Sequence, residues 1–261
     1  MTEDSPLAWL DDSEKETERG FRLSYGPLVK LLERQIHLIG NCVAEILKHR
    51  PSVKITINEL KKSSDGGLLR SLVPLFLLVQ ALDNLQASRL NMLHGYLSVS
   101  QSCMRNVVES LRWANAAQHS AQHALSWLNN KDYPKERGFS LDPPVGEIWK
   151  KFGYFSARGS HSLSSARTYS ALGKAGAKSL LGEELQQMGV ETHLRIMNQI
   201  GANFLLWMAN PIGAFAKALE NDSLQGLIQQ MLIELNQVLE IKQQPNPALN
   251  SDAPNDGAPV S

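Results

Sequence analysis

Apolar residues recur every third or fourth position over "YGPLVKLLERQIHLIGNCVAEILKH", where Leu28, Leu31, Leu32, Gln35, Ile39, Cys42, Val43 and Ile46 fall on one stripe. That spacing predicts an amphipathic helix, with Pro27 in its first turn and Pro51 as its stop. "SVKITINELKKSSDGG" alternates briefly at Val53, Ile55 and Ile57, which suits one short strand or an extended connection before Gly66 and Gly67. A second helix is expected from about Leu68 to Ala81, bent at Pro74. A long third one is expected from about Leu82 to Leu128, with Gly95 as its weak point.

After Leu128, "NNKDYPKERGFSLDPPVG" reads as a loop, and a helix resumes from about Val145 to Phe155. The Gly/Ser-rich stretch "ARGSHSLSSARTYSALGKAGAKSLLG" is too irregular for a helix. Loops of that size inside a compact domain tend to carry function or disorder. Two closing helices are expected, at about 191–219 with a break at Asn210 and Pro211, and at about 223–242. No fixed-period repeat is present. The pattern predicts an all-α fold: a multi-helix up-and-down bundle over 23–243 with one long central helix. A mobile or loosely docked acidic arm is expected over 1–22, and a disordered Pro/Asn/Asp-rich tail over 244–261.

Composition adds little to this picture. The 261 residues are 43% hydrophobic and carry 26 Lys plus Arg against 26 Asp plus Glu, so the net charge is +0 and no global field favours nucleic acid or anionic membrane. Cys42 and Cys103 lack metal-ligand spacing and read as reduced core residues, which points to the cytoplasm. The most apolar stretch, "LLRSLVPLFLLVQALDNL", is interrupted by Arg70, Pro74 and Gln80, so a buried helix is expected rather than a membrane contact.

Candidate chemistry concentrates in "RNVVESLRWANAAQHSAQH". On one continuous helix, His94, Ser98, Gln101, Arg105, Glu109, Arg112, His119 and His123 would share a polar face opposite Cys103, Val107, Leu111 and Ala114. Such a stripe is either a solvated face held by i,i+4 pairs or, if flanked by other helices, the floor of a polar cleft. His119 with His123 offers two metal ligands at i,i+4, but no third stands on the same helix, so no metal or cofactor is expected. "LGKAGAKS" lacks the spacing of a phosphate-binding loop.

"MRNVVESLRWANAA" and "WKKFGYFSARGSHSL" together resemble a set of uncharacterised bacterial helical domains. Those carry R-x-x-x-E on one helix and a later Y-x-x-x-S-x-x-x-H segment, and are in turn similar to the HEPN group (higher eukaryote and prokaryote nucleotide-binding). The resemblance spans roughly 85–215. It assigns Arg105 and Glu109 to the first motif, and His161, with Ser156 and Tyr154 upstream, to the second. It implies a module of a bacterial stress or defence system, a homodimer that binds RNA, a nucleotide or a protein partner. An active member would be a metal-independent endoribonuclease using Arg105, Glu109, Arg158 and His161, the His moving a 2′-hydroxyl proton and the Arg stabilising the phosphorane. Arg158 and His161 are separated by two residues, against four to six in catalytic members. Arg89 with His94 and Arg112 with His119 do have that wider spacing. A bundle serving only as an adaptor is the other alternative.

Overall fold

The structure, a computed structural model, describes residues 6–49, 55–133, 141–151, 183–210, 213 and 215–240. Its described residues form eight α-helices and one 3-10 turn, with no strand among them. The helices are α1 (Pro6–Lys48), α2 (Ile57–Lys62), α3 (Gly66–Leu93), α4 (Leu97–His119), α5 (Ala121–Leu128), α6 (Pro143–Lys150), α7 (Glu183–Met208) and α8 (Asp222–Glu240). The all-α bundle is as the periodicity predicts. The tail over 244–261 lies outside the described residues.

Helix α1 has two parts. From Leu28 onward it buries the expected stripe, including Leu32, Ile39 and Ile46. Before that, the arm is helical from Pro6, yet no residue from Leu10 to Pro27 is fully buried. Tyr25 leaves helical geometry (φ −126°, ψ 22°) two residues before Pro27, which has no N–H to donate to the Leu23 carbonyl and whose ring crowds it. The kink turns the arm back onto the bundle. Arg22 reaches Glu33 at 2.8 Å, whereas eleven residues of straight helix would separate them by about 16 Å.

Where a short strand was one option, Ile55 and Thr56 are non-helical and lead straight into α2. Thr56 closes a capping box there, its side chain accepting from Glu59 N at 3.2 Å while its own N–H donates to Glu59 Oε2 at 2.7 Å. Val53 lies outside the described residues.

The long central helix expected from Leu82 to Leu128 is corrected. Helix α3 starts at Gly66, capped by Asp65, and runs through Pro74 to Leu93. Gly95, at φ +89°, then reverses the chain into α4. Helices α3 and α4 lie antiparallel in the most extensive pairing of the fold: Asn84 meets Asn106, and Ser88 meets Ser100. A second break follows at Ser120, extended at φ −145° and ψ 124°, which ends α4 and caps α5 by accepting from His123 N. Helix α3 is long and apolar enough to cross a membrane by length and composition, and half of its most apolar window is buried among the other helices.

Helix α7 packs on α1 and α6 and ends at Met208, next to the expected Asn210 break, and α8 closes the bundle against α1 and α7. Trp207 and Phe215 meet edge to face at 5.9 Å between centroids. With Phe204 they are the largest fully buried side chains, as expected of a late core helix.

Candidate functional site

Helix α4 buries Met104, Val107, Val108, Leu111 and Ala114, which leaves Arg105, Glu109 and Arg112 on the opposite, partly exposed side. Arg105 Nε donates to Glu109 Oε1 at 3.0 Å, with the side chains 34% and 42% exposed. That is an ordinary i,i+4 pair, worth a few tenths of a kcal/mol.

Arg112 differs in kind. Its guanidinium carbon sits 3.3 Å from the centre of the Tyr133 ring and 3.7 Å from that of Trp149, so the cation is stacked against two aromatic faces. Trp113 braces Tyr133 edge-on at 5.0 Å. Burial raises the Tyr133 phenol above its ordinary range, and Arg112 opposes that shift. Arg22, Arg34, Arg89, Arg105 and Arg195 each pair with a carboxylate, while among the described residues Arg112, like Arg19 and Arg70, pairs with none. Its Nε is buried without a hydrogen-bond partner.

One turn further along α4 the polar residues converge on Asp142. Its Oδ2 accepts from Asn115 Nδ2 at 2.7 Å, Gln118 Nε2 at 2.8 Å and Trp207 Nε1 at 3.2 Å, while His119 Nε2 lies 3.2 Å from Oδ1. Although Asp142 precedes α6, its side chain does not cap that helix but ties α4 to α7. Nothing in the spacing marked it, because its partners stand 23 to 65 residues away.

A third cluster lies in the core. Ser88 Oγ is 2.8 Å from Ser100 Oγ, which is 2.9 Å from His193 Nε2. Serine beside imidazole is the pairing of an activated nucleophile. Here all three residues are 0% exposed, which denies a substrate access, and burial pushes the His193 imidazole down to about 3. The cluster is a neutral core network. Cys42 is likewise inert, its buried thiol pushed up to about 12.

The expected stripe is therefore shortened. The turn at Gly95 takes His94 off the α4 face, where its Nδ1 meets Glu14 Oε2 at 3.3 Å. Gln101 is buried. The break at Ser120 parts His119, exposed beside Asp142, from His123, buried with Nδ1 3.4 Å from Ala116 O. No cluster of three His, Cys, Asp or Glu suited to a metal occurs among the described residues. Arg105 and Glu109 are brought together. Arg158 and His161, with Tyr154 and Ser156, lie outside the described residues.

Comparison with family models, with curated proteins and with solved structures returns no match for this chain.

Proposed function

We propose that this chain is a HEPN-like binding module whose ligand bears phosphate, RNA or a nucleotide, and is held on the α4 face by Arg112 and Arg105. The observation that carries the reading is Arg112 itself. Contact with the Tyr133 and Trp149 rings restrains the guanidinium, and phosphate is recognised through a guanidinium's N–H edge. A cation held in place without a carboxylate among the described residues is preorganised for an anion from outside.

The Arg105–Glu109 pair on the same face favours a second reading, the metal-independent endoribonuclease. Asp142, just before α6, bonds Asn115 of α4, and Trp149, near the end of α6, packs on Arg112, also of α4.

The test is binding and cleavage of a mixed RNA pool, and binding of ATP, by purified protein in EDTA. Arg112→Ala, Arg112→Lys, Arg105→Ala and His161→Ala are run beside the wild type, with circular dichroism to check folding. A folded Arg112→Lys variant that binds RNA at least ten-fold more weakly supports the stacked guanidinium as the phosphate contact. Cleavage lost in His161→Ala selects the nuclease. Binding of neither RNA nor ATP overturns both readings in favour of an adaptor bundle.

A further inference from the structure

Residues 6–24 carry five carboxylates and three cations, and no residue from Leu10 to Ser24 is fully buried. What attaches residues 10–24 to the bundle is almost wholly polar. Tyr96 Oη donates to Glu14 Oε1 at 2.6 Å, His94 Nδ1 lies 3.3 Å from Glu14 Oε2, and His94 Nε2 lies 3.9 Å from Glu18 Oε2. Arg22 pairs with Glu18 at 2.8 Å and with Glu33 at 2.8 Å, and Glu33 also receives Arg89 at 2.6 Å. Phe21 adds one half-buried ring. On the other side of the segment, Leu23 is 76% exposed and touches no core.

The surface beneath is shaped to receive the arm. A Cβ at Gly95 would lie 3.2 Å from Thr17 Cγ2, so the glycine both makes the φ +89° turn and lets the arm lie flush on it. The joint is local: Tyr25 is non-helical, Pro27 follows, and full burial begins at Leu28. Rotation at the joint moves residues 6–24 as a body while the stripe from Leu28 to Ile46 stays packed.

We propose that the arm is a hinged latch, held to the bundle by the Arg22–Glu33 ion pair and over the α3–α4 turn by the contacts of Glu14 with Tyr96 and His94, and that it opens when those carboxylate contacts are screened. Ion pairs between partly exposed side chains weaken as salt shortens the Debye length from about 10 Å at 0.1 M to about 3 Å at 1 M. The packed core has no such dependence. A detached helix of this length is marginal in water, so opening appears as loss of amide protection. It also uncovers Tyr96, nine residues or about 13 Å along the chain from Arg105, which makes the arm a gate to one end of the α4 face. The latch goes beyond the ligand reading of that face and stands without it.

Hydrogen exchange of the full chain by mass spectrometry, in 20 mM and 1 M NaCl, tests this for the wild type, for Glu14→Gln, and for His94→Ala combined with Tyr96→Phe. Amides of residues 10–24 are expected to exchange at least ten-fold faster in 1 M NaCl, and in either variant at low salt. Residues 28–46 and 97–119 should keep their protection. Arm protection unchanged by salt in the wild type overturns the latch, and so does loss of protection in 28–46 together with the arm. The wild-type salt series decides the matter even where a variant does not fold.

Discussion

The indole of Trp207, near the end of α7, donates to Asp142 Oδ2 at 3.2 Å, and the same oxygen accepts from Asn115 on α4 at 2.7 Å. One carboxylate at the head of an eight-residue helix thereby joins two long helices from distant parts of the chain. Asn115 is 0% and Trp207 2% exposed, so neither donor can turn to water if the acceptor is removed.

Asp142→Ala is therefore expected to destabilise the fold by roughly 2–5 kcal/mol, the range for stranding buried donors in a shared network. Asp142→Asn keeps one acceptor oxygen and should lose roughly half as much. Urea unfolding followed by tryptophan fluorescence measures both. A loss below about 0.5 kcal/mol for the alanine variant would show that Asp142 is not the tie between α4 and α7.

The course of α1 beyond Pro27 was legible because a helix face repeats within four residues. The same arithmetic misplaced the polar stripe. It carried one phase across Gly95 and Ser120, and each of those breaks resets the rotation of the helix that follows. A single glycine or serine is a weak signal beside dozens of helix-compatible neighbours, so the α3–α4 hairpin reads from sequence only as a weak point in one helix. Arg105 and Glu109 were found because their pairing is local. The aromatic stack on Arg112 and the convergence on Asp142 depend on residues 21 to 65 positions apart in pairing, which no local period encodes.

Gln35 is the polar member of the α1 stripe and is 0% exposed, yet neither Nε2 nor Oε1 has a hydrogen-bond partner. It lies against Gly201 of α7, where a Cβ would come within 2.3 Å of Gln35 Oε1. A buried amide left unpaired costs about 1–3 kcal/mol, and methionine has similar length and no polar atom to desolvate. Gln35→Met is expected to stabilise the protein by about 1–2 kcal/mol, read as a higher urea midpoint at unchanged m-value. Destabilisation by more than about 1 kcal/mol would mean that the amide is satisfied in solution and keys the α1–α7 register.

The buried imidazole of His193 gives the fold a pH dependence of definite sign. Burial depresses its folded value to about 3, against about 6.5 in an unfolded chain. Between those limits the unfolded state binds a proton that the native state refuses, so stability is fully present above pH 6.5 and falls as the pH falls. The limiting slope from this one group is about 1.4 kcal/mol per pH unit. Hydrogen bonding from Arg22 holds Glu33 below the usual carboxylate range, so its own contribution is lost only as the pH drops through and below that range, around 4. Between pH 6.5 and 5 the difference in urea unfolding between the wild type and a His193 variant therefore reports this histidine's share. His193→Gln, which keeps a group to meet Ser100 Oγ, should start less stable than the wild type at pH 7 and show a shallower slope. Equal slopes in the two proteins would mean that His193 accepts a proton in the folded state, and that the Ser88–Ser100–His193 network opens to solvent.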